Sequence, residues 1–116
     1  MALEAGSLVV VPFPFSNLHS AKRRPVLLLT APDTYGDFIA MAVTSQAGHA
    51  HGIALLPADM RAGTLPKASW VRTDKIISLN RALVVKEVGK AAESLRIQAA
   101  CRLCARLQLP PESLPS

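Results

Sequence analysis

Residues 22–30 read Lys-Arg-Arg-Pro-Val-Leu-Leu-Leu-Thr, so three cations run directly into an apolar segment. The apolar part, 26–29, is short and starts with a β-branched residue, which favours a strand covered on both faces. Pro25 fixes its own φ at about −65° and biases Arg24 toward an extended backbone. The sequence therefore predicts a buried strand that aims a guanidinium from its entrance, an arrangement suited to binding phosphate.

Other short strands are predicted on both sides of this segment. Apolar runs bounded by proline, glycine or small polar residues predict strands near 7–12, 38–43, 53–56, 67–72 and 82–89. Turn-forming residues predict a loop at 13–22, a turn or short helical loop at 58–63, and a turn at 78–81. Ile76 and Ile77 are predicted to be buried. Many short strands and one late helix indicate a mostly-β fold, a small and strongly bent sheet or barrel.

The last predicted element is a helix that begins near residue 91 and ends near residue 107, before Pro110-Pro111. Apolar residues recur on one side of this helix and are predicted to face the core: Ile97, Ala100, Cys101, Cys104 and Leu107. The two cysteines are the only ones in the chain. Core packing is favoured for them over a redox or metal role, because free cysteine packs as a small apolar residue and two further zinc ligands cannot be placed. The proline-rich tail, 108–116, is predicted to be poorly ordered.

Length and composition predict one domain with an aliphatic core and a polyanionic or acidic partner. The chain has 116 residues and a formal charge of +5, from 13 Lys and Arg against 8 Asp and Glu. With three Phe, one Tyr and one Trp, it offers no multi-aromatic stacking surface of the kind found on RNA-binding sheets. Glu4 lies where a secretion signal would be positive, and no run reaches membrane-spanning length. We therefore expect a cytoplasmic protein with no membrane partner.

Three polar residues, Thr44-Ser45-Gln46, end the strand predicted at 38–43. Two interpretations stay open: they face an opening, where short polar side chains can donate to a phosphate or a base edge, or they simply begin the next turn. His49 and His51 follow in a glycine-bounded segment. No ligand lies at companion spacing, so this pair is predicted to form an exposed turn and no metal site is expected.

Four blocks of the sequence resemble, in order and spacing, the MazF/PemK toxins of bacterial type II toxin–antitoxin systems. The similarity covers residues 6–90, and its blocks are Val-Val-Pro-Phe-Pro-Phe at 10–15, Lys-Arg-Arg-Pro-Val-Leu-Leu-Leu at 22–29, Val-Thr-Ser-Gln at 43–46, and Leu-Pro-Lys-Ala-Ser-Trp-Val-Arg-Thr-Asp-Lys-Ile at 65–76. The resemblance implies an SH3-like barrel over 6–90 with a helix at 91–107 and a tail at 108–116. It also implies a homodimer, and a cognate antitoxin whose disordered acidic C-terminal segment covers the RNA groove.

The activity implied by the resemblance is metal-independent cleavage of single-stranded mRNA by a sequence-selective endoribonuclease without a cofactor. The family's catalytic arginine falls on Arg24 and its catalytic threonine on Thr44. The RNA-binding positions fall on Lys22, Ser45 and Gln46, with Ser69 a further candidate. Many members carry Gly-Ser-Glu in the loop between the first two strands, whereas residues 16–21 here read Ser-Asn-Leu-His-Ser-Ala, so contacts from this loop are not carried over.

The chemistry of such a reaction can be assigned to residue types. RNA supplies its own nucleophile, the 2′-hydroxyl, and cleavage to a 2′,3′-cyclic phosphate needs a cation, a proton donor and a proton acceptor. The planar guanidinium of Arg24 matches phosphate oxygens, and Thr44 is suited to donating a hydrogen bond to the scissile phosphate. The acceptor of the 2′-proton stays open among Arg24, His19 and solvent.

Structural alternatives exist for each candidate. Arg24 in that case is a rim cation paired with Asp37 or Asp74, and Thr44 is a strand-end hydroxyl that hydrogen-bonds to the backbone. At the level of function, the alternative is a non-catalytic small barrel that binds RNA or an acidic antitoxin-like peptide.

Overall fold

The computed structural model describes residues 2–13 and 22–108. Within these ranges, seven strands form one antiparallel sheet, and one α-helix follows them. The strands are β1 (Ser7–Phe13), β2 (Lys22–Leu28), β3 (Asp37–Thr44), β4 (Gly52–Leu55), β5 (Met60–Gly63), β6 (Ser69–Asn80) and β7 (Lys86–Ala91), and the helix is α1 (Glu93–Arg106). Short 3-10 helices occupy Pro57–Asp59 and Arg81–Leu83. The strand order is β4-β6-β3-β2-β1-β7-β5, and the sheet curls into a half-barrel, which confirms the mostly-β prediction.

Strand β2 lies at the centre of this sheet, with three strands on each side. Val26, Leu27 and Leu28 are each fully buried. Because successive side chains of a strand point to opposite faces, Val26 and Leu28 join one hydrophobic cluster and Leu27 joins the other. The prediction that this strand is covered on both faces is confirmed, and the two hydrophobic clusters are built on either side of it.

The two hydrophobic clusters divide the molecule into a helix face and an opposite face of the sheet. The helix face packs against α1 through Leu95 and Ala99, which are 3% and 0% exposed. The opposite face is lined mainly by β1, β2 and β3, and its buried members are Val9, Val11, Val26, Leu28, Phe38, Ala40, Ala42 and Leu79. Both clusters are largely aliphatic, as the composition predicts.

The loop that connects β2 to β3, residues 29–36, contains a tight turn that depends on two residues. The carboxylate of Asp33 accepts hydrogen bonds from the backbone N–H groups of Tyr35 and Asp37, at 2.9 and 3.0 Å. Gly36 has a φ of +87°, and a Cβ there would lie 2.9 Å from Cγ of Arg81. Only glycine adopts this conformation without strain, so the turn sequence fixes the hairpin.

The second half of the chain differs from the prediction in several element boundaries. The strand predicted at 67–72 and the turn predicted at 78–81 are not separate, because β6 runs unbroken through Asn80. Ile76, predicted to be buried, is 40% exposed. The predicted strand at 82–89 is instead a 3-10 turn followed by β7, and the predicted turn at 58–63 contains the edge strand β5. A register shift between β3 and β6 near Met41 explains the exposure of Ile76, because an irregularity breaks the alternation that periodicity assumes.

The helix forms where the sequence predicts it, but the predicted buried face is wrong. Leu95 and Ala99 are buried and Leu103 is partly buried, whereas Cys101 and Cys104 are exposed. Apolar residues lie on most sides of α1, so spacing alone does not identify the inward side. The stripe with two leucines packs inward because leucine buries more apolar area than cysteine or alanine.

The remaining predictions concern the loop and the tail. Of the loop predicted at 13–22, Phe13 and Lys22 are strand residues, and 14–21 lie outside the described residues. Apart from Gln108, the predicted tail also lies outside them. Within the described ranges, no helix has the length and apolar character needed to cross a membrane.

Candidate active site

The pairing of β2 with β3 directs Arg24 and Thr44 to the same face of the sheet. Strands β2 and β3 pair Val26 with Ala42, Leu27 with Met41 and Leu28 with Ala40. Continued by two residues, the same register sets Arg24 beside Thr44, on the face that carries Val26 and Ala42. Side chains directly opposite each other in an antiparallel pair have Cβ atoms about 5 Å apart. The two residues predicted as catalytic therefore share one face at one end of the sheet.

Arg24 is held by its surroundings. Its neighbour on β1 is the fully buried Val11, and its own Nε is buried from solvent. The acids proposed from the sequence as its partners are engaged elsewhere: Asp74 pairs with Arg72, and Asp37 accepts a hydrogen bond from Asn80. A half-buried guanidinium on a central strand is restricted in its rotamers, which suits it to a defined phosphate position.

Thr44 has a hydroxyl whose acceptor side is occupied. Its Oγ1 accepts a hydrogen bond from the backbone N–H of Gln46 at 3.1 Å. This is a local side-chain turn of the type threonine often forms at strand ends. The bond orients the hydroxyl and leaves its hydrogen available to donate, the role assigned to Thr44 in binding a phosphate oxygen.

Three of the four remaining RNA-binding candidates lie near Arg24 or Thr44 along the chain. Lys22 is exposed at the start of β2 and has the same strand parity as Arg24, so it lies on the same face, whereas the exposed Arg23 has the opposite parity. Ser45 and Gln46 are exposed directly after β3. These three exposed polar side chains therefore lie within two residues of Arg24 or Thr44 along the chain.

Ser69 lies apart from this group. It pairs with Leu55 on β4, is 8% exposed, and its hydroxyl donates to the carbonyl of Lys67 at 2.9 Å. Its parity on β6 is that of Val71, which belongs to the helix-face cluster. Ser69 therefore points to the face opposite Thr44, where it borders a cavity.

Sequence reasoning missed the ion pair between Arg72 and Asp74. Nε of Arg72 donates to Oδ1 of Asp74 at 3.1 Å and Nη2 donates to Oδ2 at 2.7 Å, so the contact is bidentate. The hydrogen bond from Arg72 is the main cause that lowers the pKa of Asp74, and partial burial opposes it. Spacing by two on one strand was the available signal, since such residues share a face.

A cavity of about 410 Å³ lies at the opening of the curled sheet. Residues of both edge strands line it, including Ala54 and Leu55 from β4 and Met60 and Gly63 from β5. Its remaining lining residues are Leu56, Pro57, Thr64, Leu65, Pro66, Lys67, Ala68, Ser69 and Trp70. The wall is mostly apolar, and Lys67 is the one cation among the described residues that line it.

The histidine pair belongs to no cluster of metal-ligating side chains in the part of the chain that the structure describes. There, no group of three His, Cys, Asp or Glu side chains converges. His51 serves the fold through its backbone, because its carbonyl accepts hydrogen bonds from the hydroxyl of Thr73 at 2.8 Å and from the Thr73 N–H at 3.1 Å.

The fold is that of a small mostly-β protein whose candidate site lies at one end of a curled sheet. The family model of PemK-like, MazF-like toxins of type II toxin–antitoxin systems matches residues 4–107. The chain therefore belongs to this toxin family, as its sequence blocks predict. No curated relative matches its sequence.

Solved structures show the same fold. MazF from Deinococcus radiodurans superposes with a TM-score of 0.74 at 24% identity, over 94% of this chain and 99% of that one. A MazE–MazF structure from the same organism has a TM-score of 0.74 at 22% identity, over 95% and 100%. An endoribonuclease in complex with its cognate antitoxin from a mycobacterial species has a TM-score of 0.72 at 18% identity, over 94% and 98%.

Proposed function

We propose that this toxin is a sequence-selective endoribonuclease that cuts single-stranded mRNA in the cytoplasm without a metal ion. The observation that carries the proposal is the β2–β3 pairing, which ends at Val26–Ala42 and, continued by two residues, directs Arg24 and Thr44 to the same face of neighbouring strands. The family of the chain supports it, and so does the structural likeness to the mycobacterial endoribonuclease.

In the proposed reaction, the 2′-hydroxyl of a ribose attacks the adjacent phosphorus. A P–O2′ bond forms, the P–O5′ bond breaks, and the products are a 2′,3′-cyclic phosphate and a 5′-hydroxyl. The guanidinium of Arg24 binds the non-bridging oxygens as negative charge grows on them, and electrostatic stabilisation of this kind often contributes most to catalysis. Thr44 donates its hydroxyl hydrogen to the same phosphate.

Proton transfer completes the assignment of roles. The 2′-proton passes to His19 or to water, because the charged guanidinium of Arg24 has no acceptor site, and water supplies the proton that the 5′-oxygen gains as it leaves. His19 lies outside the described residues. Lys22 binds the substrate backbone, and Ser45 and Gln46 contact the nucleotides that flank the cut. Ser69, on the far face, reaches RNA only where the substrate enters the cavity.

Cleavage of an unstructured RNA by the purified protein in the presence of EDTA tests this function. We expect fragments that carry 2′,3′-cyclic phosphate and 5′-hydroxyl ends, because the substrate's own hydroxyl is the nucleophile. An all-DNA oligonucleotide of the same sequence should stay intact. Tight RNA binding that falls steeply with salt, with the RNA uncut after long incubation, would instead favour a non-catalytic binding module.

We also propose that an antitoxin with an acidic, disordered segment binds this toxin. The formal charge of +5 favours such a partner, and relatives of this fold include MazE–MazF assemblies. Expression of the chain alone should arrest growth, and co-expression of the neighbouring short reading frame should restore it. Growth arrest that this frame fails to relieve would contradict the assignment of the partner.

A homodimer is the proposed form of the free toxin. Large apolar side chains stay exposed on the single chain, among them Ile39 at 44%, Leu56 at 57% and Leu107 at 58%. Exposed aliphatic area of this kind is commonly covered by a second subunit. Sedimentation at micromolar concentration should give twice the 12.4 kDa of one chain, and a monomeric mass would contradict the proposal.

A further inference from the structure

Trp70 lies on β6, the strand next to β3, which carries Thr44. Strands β3 and β6 pair Thr44 with Trp70 directly, so the indole lies on the face that carries Thr44 and, by the β2–β3 register, Arg24. Trp70 is half-buried. Neighbouring strands are about 4.8 Å apart, so a positive group, a hydroxyl and an aromatic ring follow one another across this face at one-strand intervals.

The last positions of this row also border the cavity. Trp70 pairs with Ala54 on β4, and these two residues both belong to the cavity lining. Lys67, also in the lining, is exposed and adds a positive charge there. A chain that passes from Arg24 across Thr44 therefore meets the indole next, at the rim of the mostly apolar cavity.

This order of groups matches the parts of a nucleotide chain. A phosphate held by Arg24 and Thr44 leaves the adjacent nucleotide over the next strand, where Trp70 lies. Every base has a flat π-face, and stacking on an aromatic side chain is tolerant of base identity. Tryptophan offers the largest such surface among the side chains.

We propose that Trp70 is the base-stacking residue of the RNA site, and that it holds the base next to the scissile phosphate at the mouth of the cavity. This inference rests on the proposed function. A single stacking residue also fits a composition too poor in aromatic residues for a multi-aromatic surface, because one base, and not a run of bases, is held in this way.

The chain provides its own probe, since Trp70 is its only tryptophan. An unstructured all-DNA oligonucleotide, which lacks the 2′-hydroxyl and cannot be cut, is titrated into the full-length protein. Tryptophan emission and its quenching by acrylamide report on Trp70, and the anisotropy of a dye on the oligonucleotide reports on binding. We expect emission to fall, and acrylamide quenching to weaken, along the same curve as anisotropy.

Two substitutions extend this test to RNA. Trp70→Phe keeps an aromatic face and should retain most affinity. Trp70→Leu keeps apolar bulk without a π-face and should weaken binding by roughly tenfold or more. The loss should appear mainly in KM, because the stacked base contacts the indole before and during cleavage alike.

The outcomes separate this inference from the proposed function. Binding by anisotropy with unchanged emission and unchanged acrylamide quenching overturns the role of Trp70 while leaving the nuclease intact. A response of Trp70 to an acidic antitoxin peptide, but not to the oligonucleotide or RNA, also overturns it and assigns the surface to the protein partner. RNA that is neither bound nor cut removes the proposed function itself.

Discussion

At the scale of single residues, the proposed chemistry depends on whether Thr44 donates a hydrogen bond. Thr44→Ser keeps the hydroxyl, whereas Thr44→Val keeps the shape and removes it. We expect the serine variant to retain most activity and the valine variant to lose roughly 10²-fold in kcat, the usual cost of one donor to a developing negative charge. Initial rates on one RNA check this, and equal rates for wild type and Thr44→Val would contradict the assigned role.

The Arg72–Asp74 pair gives a prediction for acid stability. The hydrogen bond from Arg72 lowers the pKa of Asp74 below its ordinary value of 3.8, so the folded state binds this proton less readily than the unfolded state. The stabilisation is present above about pH 4 and is lost as the pH falls through the lower folded pKa. Both side chains are less than a quarter exposed.

Asp74→Asn should therefore reduce the free energy of unfolding by about 1 kcal/mol near neutral pH, since a bidentate pair exceeds the usual surface ion pair. Urea unfolding followed by tryptophan emission measures this. The difference between wild type and variant should shrink as the pH falls through the lowered pKa of Asp74, because the protonated carboxyl group is then neutral like the amide. A difference that stays constant with pH would show that the charge of Asp74 is not its cause.

At the scale of elements, two glycines of positive φ give a matched comparison. Gly36 and Gly48 have φ values of +87° and +93°. A Cβ on Gly36 would lie 2.9 Å from Cγ of Arg81, whereas a Cβ on Gly48 would meet nothing within 4 Å. The backbone penalty is thus shared, and the steric penalty belongs to Gly36 alone.

We expect Gly48→Ala to cost about 1 kcal/mol of stability and Gly36→Ala to cost more, about 2 kcal/mol. Thermal unfolding of both variants checks the order. Equal losses would mean that the side chain of Arg81 gives way at no cost.

The strands and the helix differ in how well the sequence predicts them. Strand β2 is predicted correctly because Val26 to Leu28 form an uninterrupted apolar run that any buried central strand requires. The side of α1 that faces the core is not predicted correctly, because Ile97 and Leu95 lie on different sides of the helix and both are suited to burial. Strand β5 carries a glycine and two small or polar residues, so its pairing with β7 is decided by tertiary contacts.

The sequence likewise predicts some features of the candidate site and not others. Arg24 is a phosphate-binding candidate from its position before an apolar strand, whereas the catalytic roles predicted for Arg24 and Thr44 come from the resemblance to the toxin family. Their adjacency cannot be read from the sequence, since it depends on the register between β2 and β3. Trp70 is not predicted as part of the site, because its pairing with Thr44 follows an irregular β3–β6 register.

In the molecule as a whole, the net charge and the curvature of the sheet both bear on how partners bind. The half-barrel places its two edge strands on one cavity, and its central strand carries Arg24 of the proposed phosphate site. The net positive charge favours the approach of RNA and of an acidic antitoxin alike, so the two partners should compete. RNA cleavage should therefore fall when antitoxin is added and should recover when toxin is supplied in excess over the antitoxin.

The central claim is that Arg24 performs the chemistry, and the most direct test compares it with its neighbour. Arg23 has the same side chain one residue earlier on β2, but it is exposed on the other face. We predict that Arg24→Ala abolishes RNA cleavage in EDTA while its circular dichroism and thermal unfolding stay close to wild type, and that Arg23→Ala cleaves at nearly the wild-type rate. Full activity in Arg24→Ala, or equal losses in the two variants, would contradict the claim.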